Sequence, residues 1–318
     1  MADNPVADNP ATASPATANL VTDPLLEADD NPNADADSAI AASSYMLMRV
    51  IQPNDEEEQD RMDLVHHIYK ILLGGELHLA PLSKNVQRVL DLGTGTGIWA
   101  LDFADQYPSA QVIGNDLSPI QPKWTAPNCQ FEVDDYESDW SYSHPFDYIH
   151  GRELSGAVKD YDRLFAQAFQ HLKSGGYLEM QSYKQEILCD DGTDEKAPYT
   201  RKCVEHLQEA SKKFGKSMVE ADTWKDRMIK AGFVDVTCRI FKIPIGTWPK
   251  DPKLKELGRW HQVAQEESMG PYCYALFSRV LGWQREAIEV LLAMVRKELR
   301  DPSIHQYVQI YIVYGRKP

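Results

Sequence analysis

The sequence predicts an α/β fold with a doubly wound, mostly parallel sheet of seven strands and an antiparallel last strand. Three observations predict it: short apolar runs alternate with amphipathic segments from residue 87 onward, a glycine-rich turn joins the first run to a helix, and the chain ends in two apolar runs split by a helical insertion. Strands that alternate with helices form a parallel sheet covered on both faces. Ligands bind at the carboxyl ends of the strands in such sheets.

The first 44 residues are predicted to form a disordered acidic tail. They hold eight Asp or Glu and no Lys, Arg or aromatic residue, and so contribute −8 to the net charge of −15. A segment so poor in apolar side chains cannot offset the entropy lost on ordering. We therefore expect one folded domain over residues 45–318.

The first predicted element of that domain is a helix with Asn54 as N-cap and Glu57 three residues later. Its apolar side chains recur at helical spacing at Met62, Val65, Ile68 and Leu72. His66 and His67 follow each other directly, and neighbours on a helix point about 100° apart. Histidine pairs that bind zinc on a helix are four residues apart, so we predict no metal site.

The remaining elements are predicted from apolar runs and amphipathic periods. Five strands are predicted at residues 88–92, 111–115, 129–133, 146–149 and 177–180. Helices over 98–106 and 160–172 separate some of them. Helices over 200–214 and 222–231, a strand over 234–243 and a last strand over 306–314 follow. Residues 244–303 are predicted to be a helical cover, whose aromatic side chains either form its own core or roof an apolar acceptor pocket.

Composition narrows the classes of partner and compartment. An acidic chain repels phosphate backbones, because nucleic-acid affinity comes largely from Lys and Arg. The five cysteines are widely spaced and include no C-x-x-C pair, which is typical of reduced intracellular thiols. No apolar run approaches the ~20 residues that span a bilayer. We expect a cytoplasmic protein with neither a nucleic-acid nor a membrane partner.

A glycine-rich turn carries the first functional signal. The run V-L-D-L-G-T-G-T-G-I-W leads from a strand into a helix, and glycines there let the backbone approach a ligand closely. A dinucleotide site requires Gly or Ala where Ile98 stands, and no Lys-Ser or Lys-Thr pair completes a phosphate-binding loop. Asp91 precedes the alternating Gly93, Gly95 and Gly97 by two residues, which resembles motif I of class I S-adenosylmethionine (SAM) methyltransferases.

Acidic residues at two further strand ends extend the same pattern. Asp116 ends the second strand, 23 residues after Gly93, where a carboxylate can accept hydrogen bonds from both ribose hydroxyls. Asp135 follows the third strand, where the methyltransferase pattern places an acid on the adenine amino group and Tyr136 against the ring. Each position alone is equally consistent with a turn carboxylate. Together, in this order, they favour a SAM site.

Longer stretches resemble the fungal LaeA-type methyltransferase family. They lie at residues 53–56, 93–100, 116–122, 146–152 and 176–181. The resemblance implies a Rossmann-like class I fold and a SAM-dependent enzyme that methylates a small molecule in fungal secondary metabolism. It also implies an alternative: a nuclear regulator that acts through velvet-type protein partners, with weak or no methyl transfer.

The resemblance implies a set of cofactor-binding residues: Asp91, Gly93, Thr94, Gly95, Gly97, Asp116, Leu117, Asp135 and Tyr136. His150 leaves the fourth strand beside the expected methyl position, so it is the candidate catalytic base, or else a residue that fixes the next turn. Arg152 and Glu153 either orient the acceptor or pair with each other. His261, in the helical cover, is a weaker candidate base.

One departure from the family pattern lies before residue 53. Family members carry a tyrosine-rich stretch there that folds over the cofactor, whereas this chain has S-Y-M-L-M-R-V-I-Q at residues 44–52. The difference predicts a shorter cover over SAM. It also motivates the regulator alternative.

Overall fold

A central sheet carries the site in the computed structural model, which describes the backbone of residues 20–22 and the whole of residues 56–318. In chain order its strands are β1 (Leu20–Thr22), β2 (Arg88–Leu92), β3 (Gln111–Asp116), β4 (Cys129–Val133), β5 (Phe146–Arg152), β6 (Leu172–Tyr183), β7 (Leu188–Cys189), β8 (Val234–Pro244) and β9 (Gln306–Arg316). Across the sheet the order is β1-β8-β9-β6-β5-β2-β3-β4, and β7 pairs with β9.

The direction of the strands confirms the predicted class. From β2 the chain adds β3 and β4 on one side and β5 and β6 on the other, all in parallel. The last strand, β9, runs antiparallel between β6 and β8. The strand order therefore reverses at β2, and its carboxyl end is where a ligand crevice is expected.

Helices flank the sheet at α1 (Glu56–Leu72), α2 (Ile98–Gln106), α3 (Tyr161–His171), α4 (Pro198–Phe214), α5 (Trp224–Lys230), α6 (Pro252–Arg279) and α7 (Arg285–Leu299). Side chains of β2 separate into two buried clusters, with Leu90 and Leu92 in one and Val89 in the other. A strand buried on both faces is what a parallel sheet requires. The segment predicted as a helical cover contains α6 and α7, and α6 packs against α1 and α4.

The prediction is wrong where α3 meets β6. Residues 173–176, expected to separate the helix over 160–172 from the strand over 177–180, lie inside β6, which begins directly after the helix at Leu172. The register between β5 and β6 shifts at this point: Phe146 lies opposite Leu172, and Tyr148 lies opposite Tyr177. Gly175 has a φ of 82°, in the left-handed region that favours glycine. Gly175 N donates a hydrogen bond to Lys317 O, and Lys317 N donates one to Gly176 O. These bonds hold the segment against the end of the chain as a bulged strand.

Part of the predicted tail is a strand. Leu20–Thr22 pairs in parallel with β8, with Leu20 opposite Cys238. The reason is that β8 lies at the edge of the main sheet, where unpaired backbone groups attract another strand. The rest of the predicted tail, the helix start at Asn54 and the segment 44–52 lie outside the described residues. No described helix is both long enough and apolar enough to cross a membrane.

Candidate functional site

The turn after β2 is built on backbone that only glycine adopts readily. Gly93, Gly95 and Gly97 have φ values of 61°, 65° and 82°, in the left-handed region. A Cβ on Gly97 would lie 2.3 Å from the ring of Phe131, and one on Gly93 2.6 Å from Leu154. The side chains of Phe131 and Leu154 thus pack against the turn. Helix α2 begins where the turn ends and presents its first N–H groups there.

Two predicted carboxylates hold this turn in place. Asp91 Oδ2 accepts a hydrogen bond of 2.6 Å from Thr94 Oγ1. Asp116 Oδ2 accepts one of 3.1 Å from Gly95 N, and its Oδ1 accepts one of 2.9 Å from Ser118 N. Both carboxylates are buried. The residue expected to bind the ribose therefore touches the glycine turn directly.

His150, the candidate base, lies beside Asp91. Its Nδ1 is 2.7 Å from Asp91 Oδ1, and its ring stacks on Trp99 with centroids 3.7 Å apart. The carboxylate makes Nδ1 the donor, so Nε2 carries the lone pair. Among the described residues Nε2 has no hydrogen-bond partner. Burial lowers the pKa of His150, although Asp91 opposes the shift, so the ring is neutral at pH 7.

A pocket opens between the glycine turn, the end of β5 and one face of α1. Gly93, Thr94 and Gly95 line one side, and His150, Arg152 and Glu153 line another. The third side is α1, with Arg61, Met62, Val65 and His66. The structure thus places Asp91, Gly93, Thr94 and Gly95 in one pocket with His150. The other predicted cofactor residues are not among those that line it: Gly97, Asp116, Leu117, Asp135 and Tyr136.

Arg152 and Glu153 bond to different partners. Arg152 Nε donates to Gln181 Oε1 at 3.0 Å, its Nη1 lies 3.0 Å from His66 Nδ1, and its guanidinium lies over the ring of Tyr69. Glu153 accepts hydrogen bonds from Tyr69 and from Ser182 Oγ. Within residues 56–318 no salt bridge joins the two to each other. The prediction that they pair is wrong, because separate networks hold them.

Burial raises the pKa of Glu153 from 4.5 to about 7, against hydrogen bonds from Tyr69 and Ser182 and the charge of Arg152. The folded state therefore binds the proton more tightly than the unfolded chain, and this contribution to stability is lost as pH rises from about 4.5 through about 7. We expect Glu153→Gln, which is permanently neutral, to gain stability relative to wild type across that range and to keep the gain at pH 8. Urea unfolding at pH 5, 6, 7 and 8 measures the difference in unfolding free energy between Glu153→Gln and wild type. A difference that stays constant with pH would contradict the raised pKa of Glu153.

The other predicted cofactor-binding residues, Leu117, Asp135 and Tyr136, follow the ends of β3 and β4. A Cβ on Gly93 would be 3.4 Å from Tyr136, so that buried ring lies against the turn. Asp135 is partly buried, and its Oδ1 accepts a 3.0 Å hydrogen bond from Glu137 N. Leu117, also partly buried, directly follows Asp116. Their roles in adenine binding stay predictions.

His261, the weaker candidate base, makes its hydrogen bonds within the helical cover. Its Nδ1 donates to Pro244 O at 2.9 Å, and Gln265 Nε2 donates to its Nε2 at 3.0 Å. Burial lowers its pKa to about 4. Both ring nitrogens are thus used within the helical cover, which gives His261 a packing role.

Sequence reasoning missed the contribution of α1. Arg61 lines the pocket, Tyr69 contacts both Arg152 and Glu153, and His66 links Arg152 to Asp102, whose Oδ2 is 3.1 Å from His66 Nε2. Burial and the charge of Arg152 lower the pKa of His66 to about 4. The available signal was the spacing of Arg61, Val65 and Tyr69, four residues apart and therefore on one helix face.

Comparison with known proteins identifies the family. A family model described as a methyltransferase domain matches residues 50–237, more than half of the chain. "Secondary metabolism regulator LAE1" of Cochliobolus heterostrophus is 36% identical over 84% of this chain and 89% of its own length. The chain belongs to the LaeA-type methyltransferase family.

Relatives of this methyltransferase also carry enzyme names. "Methyltransferase pytC" of Aspergillus terreus is 39% identical and covers 91% of this chain and 94% of its own length. "Probable methyltransferase tdiE" of Emericella nidulans is 33% identical and covers 89% of each chain. Both matches include the glycine turn, the end of β5 and most of the helical cover, because they extend over nearly the whole sequence.

Proposed function

We propose that this methyltransferase binds SAM at the glycine turn and transfers its methyl group to a small-molecule acceptor of fungal secondary metabolism. The proposal rests on one observation above others: Asp116, the expected ribose ligand, bonds directly to Gly95 of the turn, beside a pocket that reaches His150. The names of the pytC and tdiE relatives support the reaction class. We also propose a cytoplasmic location for the enzyme.

The residues present fit SAM. Gly93 and Gly95 allow close backbone approach, while Asp116, the proposed ribose ligand, bonds to Gly95 and Tyr136, the proposed adenine contact, lies against Gly93. In the part of the chain that the structure covers, His150 Nε2 and Arg152 Nη2 are buried without hydrogen-bond partners, and both residues line the pocket. Buried polar atoms normally have partners, so the pocket suits a polar ligand. When bound, the sulfonium of SAM supplies the electrophilic methyl group.

The protein contributes alignment, water exclusion and a proton acceptor. Holding two reactants in line is worth up to ~7–11 kcal/mol of the barrier. Where the acceptor is a hydroxyl or an acid, His150 Nε2 is positioned to take its proton, since Asp91 holds the other nitrogen as donor. Trp99 fixes the plane of the ring by stacking.

Asp116→Ala is expected to weaken binding of S-adenosylhomocysteine (SAH), the demethylated product, by about tenfold or more, because charge-assisted hydrogen bonds are worth about 1.5–3 kcal/mol. Calorimetric titration of the purified protein measures it, with micromolar affinity expected for wild type. Asp105→Ala, which removes an exposed carboxylate at the end of α2, is the control. Equal affinities of wild type and Asp116→Ala would refute the ribose assignment.

The second candidate is a regulator that acts through velvet-type partners in the nucleus. The relative named "Secondary metabolism regulator LAE1", at 36% identity, favours it. A tagged full-length chain that recovers a velvet-type protein and accumulates in nuclei would support regulation. Cytosolic protein with no such partner, together with SAH binding, would support the enzyme.

A further inference from the structure

Two side chains of opposite charge, Arg152 and Glu153, face the same pocket although they are neighbours in sequence. Consecutive side chains of an extended strand point to opposite faces. Glu153 breaks this alternation because its φ is 55°, in the left-handed region that non-glycine residues rarely adopt. Such backbone strain clusters at ligand sites, and here it turns the carboxylate toward the side that Arg152 already faces.

The guanidinium of Arg152 has unused binding capacity. Its Nε and Nη1 bond to Gln181 and His66, both neutral, and its face lies on Tyr69. Its Nη2 is buried and has no hydrogen-bond partner among residues 56–318. A buried guanidinium without a carboxylate partner is costly. Nη2 is therefore available to donate to an anionic group in the pocket.

The carboxylate of Glu153 has the complementary capacity. Tyr69 and Ser182 each donate one hydrogen bond to it, whereas a carboxylate offers about four acceptor positions. The two donors hold the group from α1 and β6, so its orientation is set before any ligand arrives. Its remaining positions suit a cation with several N–H groups, such as a primary ammonium.

We propose that Arg152 and Glu153 form a zwitterion clamp that holds the amino-acid end of SAM, with Arg152 on the α-carboxylate and Glu153 on the α-ammonium. This assignment rests on the proposed function. The occupant is the cofactor, because the pocket that contains both charges is also lined by Gly93, Thr94 and Gly95. An amino acid matches both charges at once, whereas a simple anion or amine would leave one of them unpaired.

Two ligands separate the clamp from the rest of the cofactor site. SAH carries the amino-acid end, and 5′-methylthioadenosine carries the adenosine and thioether without it. We expect Arg152→Met and Glu153→Gln each to weaken SAH by about tenfold or more, because charge-assisted pairs are lost, and to change 5′-methylthioadenosine affinity by less than about twofold. The control is Arg201→Met. Arg201 lies on α4 and bonds to Asp194.

Proton release gives a second readout that a purely structural role would not move. With its pKa raised by burial to about 7, Glu153 is about half protonated at pH 7 and must ionise to bind the ammonium. Calorimetry in buffers of different ionisation enthalpy should detect about half a proton released per SAH in wild type and none in Glu153→Gln. The groups that face Glu153 and set this titration are Arg61, Tyr69, Arg152, Ser182 and Tyr183.

Each result supports or overturns the clamp. Equal weakening of SAH and 5′-methylthioadenosine in both variants would show a structural role and overturn it, as would unchanged SAH affinity in both. Should Arg152→Met fail to fold, Arg152→Lys carries the test, with intermediate SAH affinity expected because the charge is kept. Folded wild type that binds neither ligand would refute the cofactor site itself. Wild type that binds 5′-methylthioadenosine as tightly as SAH would refute the clamp alone.

Discussion

Replacing Glu179 with alanine is expected to lower the free energy of unfolding by about 3–5 kcal/mol, because each buried donor left without an acceptor costs about 1–3 kcal/mol and the cavity adds to that loss. Glu179 is fully buried at the centre of β6. Its carboxylate accepts hydrogen bonds from Leu79 N at 3.0 Å, Ala80 N at 2.6 Å and Gln181 Nε2 at 2.7 Å. Alanine leaves these donors without an acceptor and leaves a cavity, so both the polar and the packing energies are lost.

Asp147→Ala is the matched control. Asp147 also accepts hydrogen bonds from two successive backbone amides, Gln87 N at 3.1 Å and Arg88 N at 2.8 Å. Its side chain is 26% exposed, so water can replace it, and we expect a loss of only about 1 kcal/mol. Chemical denaturation of both variants gives the comparison. Similar losses at the two sites would contradict the argument that burial sets the cost.

Glu179 also connects the stability of the sheet to the pocket. It anchors the segment around Leu79, and Leu77 O in that segment accepts a 3.1 Å hydrogen bond from Trp99 Nε1. Trp99 in turn stacks on His150. We therefore expect Glu179→Ala to speed amide exchange at Leu79 and to loosen the His150 ring.

The parts of the site that sequence predicts are those specified by neighbouring residues. The bounds of β2 and α2 are as predicted, because an apolar run, a glycine turn and a helical period are all local signals. Asp116 is found where a strand-end acid is expected for the same reason. The parallel order then follows from short connections and from the handedness of crossovers.

The rest of the site depends on distant contacts. Glu179 reads as an ordinary strand residue, yet its partners Leu79 and Ala80 lie 100 and 99 positions earlier. The φ of Glu153 has no marker in the side-chain pattern, since glycine would be the expected residue there. The approach of α1 to β5 through Tyr69 is likewise set by tertiary packing. Pairwise geometry of this kind cannot be obtained from one sequence.

Gly97→Ala is expected to cost about 2–5 kcal/mol and to abolish detectable SAH binding, because two penalties add at this position. The left-handed φ of 82° costs a residue with a Cβ about 1–2 kcal/mol. The new methyl would also lie 2.3 Å from Phe131 Cζ, and forcing a packed ring aside costs about 1–3 kcal/mol. Phe131 lies on β4, so the displacement moves the strand that leads to Asp135 and Tyr136 as well as the glycine turn.

Gly175→Ala separates the two penalties, since Gly175 has the same φ of 82° but no atom within 4 Å of a new Cβ. We expect it to cost only the conformational part, about 1–2 kcal/mol, and to leave SAH affinity unchanged. Urea unfolding and calorimetric titration of both variants measure the difference. Equal destabilisation would mean that Phe131 yields freely and that backbone conformation alone demands glycine at residue 97. A larger loss at Gly97, accompanied by lost SAH binding, would show that packing beneath the turn positions it for the cofactor.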